Sequence, residues 1–143
     1  MTDSKDRPAR LLNKALWTAQ VILGIIFIMA GMMKSALPID QLSLSVPWVK
    51  DVPQALVRFI GISELLGALG LLLPGVLRIK PRFTPYAASG LLTIQVFAMI
   101  FHFSRGEYGS IGFNLILALF AVFIAWGRFK RLPVLERGRQ GGE

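Results

Sequence analysis

Four long apolar runs divide the chain, and the polar and small residues inside them recur at steps of three and four. Nineteen uncharged residues run from Ala15 to Met33, and three further runs follow. The pattern predicts membrane spans at 15–34, 55–73, 86–103 and 111–126, each close to the ~20 residues that a bilayer core requires. Helical spacing lines up Gln20, Gly24, Phe27, Gly31 and Lys34 in the first span and Gly61, Glu64, Ala68 and Gly75 in the second. It does the same for Ala88, Leu91, Gln95, Ala98 and His102 in the third and for Asn114, Ala118, Ala121 and Ala125 in the fourth. Small residues on facing stripes let membrane helices approach closely, because lipid offers no hydrophobic drive between them. The expected fold is all-α: a membrane-spanning antiparallel four-helix bundle occupying residues 15–127.

The segments between the runs are less uniform. Residues 1–14 are polar and basic. The Ala15–Met33 run is too long for the core of a cleavable signal peptide, and Ala-Gly-Met-Met-Lys is a poor cleavage site, so a retained span is expected. The connector from Lys34 to Gln54 carries three prolines yet is rich in apolar residues that want burial. It is expected to lie on the membrane or to tuck over the outer mouth of the bundle, with Trp48 as an interfacial anchor. Pro74-Gly75 is expected to stop the second helix. Residues 128–143 are read as a basic, disordered tail.

Composition agrees with the runs. Of 143 residues 54% are hydrophobic and 17% charged, with mean hydropathy +0.59, whereas a soluble domain carries about a quarter charged residues. A net charge of +8 invites a nucleic-acid reading, but the basic residues flank apolar runs. The N-terminal segment, the Val76–Pro85 turn and the tail hold four, three and five lysines and arginines, or 12 of the 16. The positive-inside rule then puts both termini in the cytoplasm, with a bacterial plasma membrane expected and no nucleic-acid partner. The absence of cysteine excludes a thiol–disulfide relay, an iron–sulfur cluster and a cysteine-ligated zinc within this chain.

Glu64 is the chemical puzzle. A charge that deep in an apolar run costs roughly 2.5–3.5 kcal/mol to insert, so it should face protein or a wet cavity and have a partner. Depth along the spans gathers Lys34, Arg58, Glu64, His102 and Asn114 in the outer half as a candidate polar pocket, with Gln20 and Gln95 as secondary positions. The inner half is expected to be dry, packed with alanine and leucine. Each residue also has a plainer role. Lys34 and Arg58 fit snorkelling interface residues, and Gln20, Gln95 and Asn114 fit hydrogen bonds between helices. Glu64 fits a static bridge to Lys34 or Arg58 as well as it fits a working group. One histidine and one deep carboxylate are too few for a metal site, so no metal is expected. Nor is any cofactor evident.

Standard catalytic signatures are missing. Gly67-Ala-Leu-Gly70 lacks the third glycine and the strand context of a dinucleotide loop. No nucleophile elbow or Ser/His/Asp set is present. Four spans without internal symmetry are few for an inverted-repeat transporter.

The sequence resembles the DoxX-like family of small four-span membrane proteins. The resemblance lies in Ala30-Gly-Met-Met-Lys34, in Pro53-Gln-Ala-Leu-Val-Arg-Phe-Ile-Gly-Ile-Ser-Glu-Leu-Leu-Gly-Ala-Leu-Gly-Leu-Leu-Leu-Pro74 and in the basic turn with Pro81 and Pro85. It continues in His102-Phe-Ser-Arg-Gly-Glu107, in Asn114 opening the last span and in Gly127-Arg128. The family takes its name from the membrane subunit of an archaeal thiosulfate:quinone oxidoreductase. Relatives have been linked to oxidative-stress complexes, and distant ones to chaperone or cargo-receptor roles. Lys34, Glu64 and His102 match polar positions of the family.

Two readings follow. In one, the chain is the membrane subunit of an oxidoreductase, holding a quinone or similar amphipathic molecule in the outer-half pocket. Glu64 or His102 would exchange a proton, and electrons would come from a redox partner protein. In the other, it is a non-enzymatic scaffold, assembly factor or lipid- and partner-binding bundle, with the polar set joining the helices. A bundle this small is expected to leave little room for an enclosed ligand site.

Overall fold

The computed structural model describes residues 3–136 and is all-α. Helix α1 spans Asp3–Ala36, and a short α2 spans Ile39–Ser45, followed by a 3-10 turn at Pro47–Lys50. Three long helices follow: α3 (Gln54–Leu77), α4 (Phe83–Ser104) and α5 (Tyr108–Trp126). A π-helical turn, Gly127–Arg131, prolongs α5. Four helices, α1, α3, α4 and α5 with its extension, are long and apolar enough to cross a membrane.

Neighbouring helices run antiparallel, as the order of their contacts shows. From the end of α1 backwards, Gly31 faces Gly61, Gly24 faces Leu72, and the Trp17 ring lies against Gly75. Between α3 and α4, Gly67 meets Leu91, and Gly75 lies nearer Thr84. Phe103 meets Tyr108 edge to face where α4 turns into α5, while Tyr86 at the other end meets Phe129 in the same way. The core between them is apolar and includes Leu23, Phe27, Ala68, Leu71, Leu91, Ala121 and Ile124.

One contact sets the geometry of the site. A Cβ on Gly31 would lie 2.7 Å from the Gly61 carbonyl oxygen, and one on Gly61 would lie 2.9 Å from the Gly31 oxygen. Only glycine at both positions lets α1 and α3 touch backbone to backbone, as small residues do between membrane helices. One turn further along each helix stand Lys34 and Glu64.

Several boundaries differ from the sequence expectation. Helix α1 begins at Asp3 rather than near residue 15, and α4 and α5 begin three residues before their expected starts. Helix α3 passes through Pro74 and ends only at Leu77, with Arg78 in the left-handed region at φ 54°. Proline removes one backbone hydrogen bond but need not end a membrane helix, since unwinding there would free more polar groups into lipid.

The tail also departs from expectation. Residues 128–131 continue the helical turn after α5, and Arg128 is 3% exposed. The expectation of disorder beyond residue 136 falls outside the described residues. The connector is packed: Leu42 and Val49 bury with Val57 of α3, and Met33, Leu37, Val46 and Trp48 close around them.

Candidate functional site

The Gly31–Gly61 contact brings the end of α1 against the first half of α3. Lys34 Nζ donates to both oxygens of Glu64, at 2.7 and 2.8 Å. The two side chains are 13% and 5% exposed. This pairing offsets the cost of placing a carboxylate inside a span. Arg58 goes elsewhere: its Nη1 donates to the Lys34 carbonyl oxygen at 2.6 Å. That bond satisfies one of the carbonyls left open at the end of α1.

Beside the ion pair lies a cavity of about 760 Å³. Lys34, Glu64, Gln95, His102 and Asn114 line it together with Trp48 and mainly apolar residues, among them Ile60, Ile94 and Phe101. The space arises where the lining is small, at Ala30, Ala98, Gly109 and Ser110. Its volume falls within the 300–1,000 Å³ typical of small-molecule sites. The expectation was of little room for an enclosed site, and the cavity that forms is a partly open one. The bundle shares this space with the connector, whose Trp48 supplies a wall that four helices alone would lack.

Gln95 is 3% exposed, and its Oε1 is buried without a hydrogen-bond partner. Such an atom forgoes a bond it had in water, at a cost of about 1–3 kcal/mol. A donor in the cavity would recover it once the Gln95 amide turned that oxygen toward the lining.

His102, 7% exposed, is held from the turn between α4 and α5. Its Nδ1 lies 2.5 Å from Glu107 Oε2. Arg105 donates through Nε to Glu107 Oε1 at 2.7 Å and through Nη2 to Asp51 of the connector at 2.6 Å. Hydrogen bonding from Arg105, and then from His102, holds the Glu107 carboxyl below its ordinary range. An ionised Glu107 can only accept, so the ring proton is assigned to Nδ1. In the neutral ring Nε2 is then an acceptor. Trp48 meets the His102 ring edge to face at 6.4 Å and the Phe101 ring at 5.6 Å.

Sequence reasoning missed Glu107, Asp51 and Arg105, which orient the histidine, and gave Trp48 only an anchoring role. The two-residue spacing of Arg105 and Glu107, three and five positions after His102, was the available signal. Gln20 belongs to the opposite end of the bundle. Its Nε2 donates to the Leu71 carbonyl oxygen at 3.0 Å, and its Oε1 accepts from Arg128 Nε at 2.6 Å. The expectation of a dry inner half is thereby corrected, because Arg128 turns inward to meet Gln20. Among the described residues, no three histidine, aspartate or glutamate side chains group as a metal site requires.

The sequence profile of the DoxX-like family matches residues 18–124, which takes in most of the four apolar helices and the cavity between them. The chain belongs to the DoxX-like family. It is an integral membrane protein built as a helical bundle. Comparison with curated proteins and with solved structures finds no significant match.

Proposed function

We propose that this DoxX-like protein binds a quinone or similarly amphipathic molecule in the cavity, as the membrane part of an oxidoreductase. The supporting observation is the cavity itself, apolar over most of its wall, with the partnerless Gln95 Oε1 buried beside it. Aromatic residues Phe59, Phe97 and Phe113 line it while remaining 56–68% exposed, so an apolar body could extend from it toward lipid. The polar end of the ligand would meet Lys34 and Asn114 as donors, His102 as acceptor, and the Gln95 amide as either.

In this reading Glu64, neutralised by Lys34, is the group able to take up or release a proton when the ligand's oxidation state changes. Electrons come from a redox partner protein. With both termini cytoplasmic in a bacterial plasma membrane, as the distribution of basic residues argues, the cavity lies in the outer half.

The test is to purify the chain in mild detergent and identify copurifying small molecules and proteins by mass spectrometry. A stoichiometric quinone-like molecule, depleted in a Gln95→Leu variant, supports the proposal. Copurification of partner proteins alone, with no small molecule above the level of a control membrane protein, favours the scaffold reading.

A further inference from the structure

The opposite end of the bundle carries a second, chemically different site. A cleft of about 820 Å³ opens between the turn joining α3 to α4 and the segment after α5. Arg78, Lys80, Arg82 and Arg128 line it, with Glu136 as the one carboxylate in its wall among the described residues. Arg78, Lys80 and Arg82 are exposed, and none forms an ion pair among the described residues.

Arg128 is the unusual member. It is 3% exposed and among the described residues meets only neutral groups: Nε donates to Gln20, and Nη1 donates to Asn13 Oδ1 at 2.9 Å and to the Leu132 carbonyl oxygen at 3.0 Å. The guanidinium lies 5.2 Å from the centre of the Trp17 ring. Its Nη2 is buried without an acceptor. A buried charge normally has a counter-charge, and this one has none among the described residues.

We infer that the cleft binds a phosphate-bearing anion, with Arg128 at its base and Arg78, Lys80 and Arg82 around it. Guanidinium groups suit phosphate oxygens in geometry and charge, and Nη2 is a donor that still lacks an acceptor. The cleft sits where the membrane helices end, and Tyr86 and Phe129, stacked edge to face at 5.1 Å, form part of its wall. A phospholipid headgroup would find its phosphate among the arginines and its glycerol and chains along these rings, whereas a free phosphate would use the arginines alone. Basic pockets at the ends of membrane helices hold anionic headgroups in this way.

The full chain in maltoside detergent is titrated with short-chain phosphatidylglycerol, short-chain phosphatidylcholine and inorganic phosphate, with bound ligand counted by native mass spectrometry. Arg78→Ser/Lys80→Ser is compared with Lys130→Ser/Arg131→Ser, which removes equal charge from exposed positions outside the cleft. Arg128→Lys, which keeps the charge and loses Nη2, is a third variant. The cleft pair should weaken binding by roughly fivefold per charge, about thirtyfold together, and the control pair by clearly less. Saturable phosphatidylglycerol binding lost in the cleft pair assigns a lipid headgroup. Saturable inorganic phosphate lost in the same variant, without preference for the anionic lipid, assigns a free anion. Should Arg128→Lys fail to fold, the two exposed pairs still decide. Equal effects of the two pairs, or no saturable binding in either anionic arm, overturn the inference.

Discussion

Removing Glu64 should leave Lys34 as an uncompensated cation in the wall of a membrane bundle. The pair is bidentate at 2.7 and 2.8 Å, and its side chains are 13% and 5% exposed. Truncating one partner of so buried a pair costs about 3–5 kcal/mol, with Glu64→Ala toward the lower end because the Lys34 ammonium it leaves behind is the more exposed of the two. Removing both leaves no unpaired charge, so the double variant should cost about 2 kcal/mol less than the two single costs summed, within the range for residues in contact. Glu64→Gln should be milder than Glu64→Ala, since Lys34 can still donate to an amide oxygen. The assay is unfolding in mixed micelles, followed by the fluorescence of the three tryptophans. Costs that add within ~0.5 kcal/mol would show that Lys34 and Glu64 do not meet. Coupling of Glu64 to Arg58 instead would place the carboxylate with the guanidinium that here bonds the Lys34 carbonyl.

Two other expectations test the surroundings of the site. Gly61→Ala places a Cβ 2.7 Å from that of Lys34 and 2.9 Å from the Gly31 oxygen, so the helices must part, and melting in detergent should show a loss of about 1–3 kcal/mol; an unchanged melt would mean that α1 and α3 do not touch there. Because Glu107 has its carboxyl pKa lowered on folding, its contribution is fully present above its ordinary value of 4.5 and is lost as pH falls through the lower folded value. The gap in melting temperature between wild type and Glu107→Gln should therefore hold steady above about pH 4.5 and close below it, and a gap independent of pH would refute the Arg105–Glu107–His102 arrangement.

Much of this site was legible because membrane helices impose strict arithmetic. Gly61, Glu64, Ala68 and Gly75 fall on one face at helical spacing, and all four are buried in α3. Gly31 and Lys34 sit one turn apart, so a close approach at the glycine delivers the ammonium to the carboxylate. Arg128 was not legible, since a basic residue after an apolar run reads as a flank. Its burial depends on a π-helical turn and on Gln20, 108 residues away. Depth along the spans gathered four of the residues that line the cavity, but its size was not legible, because its volume depends on how Trp48 and the connector close over Ala30, Ala98 and Gly109, and helical periodicity says nothing about loops. Arg58 shows the limit from the other side: depth placed it correctly at the end of the bundle, but depth cannot tell an ion pair from a bond to a carbonyl.

The central claim is that the cavity takes an amphipathic ligand, and the direct measurement is a titration of the detergent-solubilised chain with a short-tailed quinone analogue. Wild type should bind saturably at one site per chain. Gln95→Leu, which fills nearly the same volume but cannot hydrogen-bond, should bind about tenfold more weakly, the loss of one buried hydrogen bond. Its melting temperature should hold or rise, because the variant removes a buried atom that had no partner. Absence of saturable binding by wild type, or equal binding by Gln95→Leu, would contradict the account.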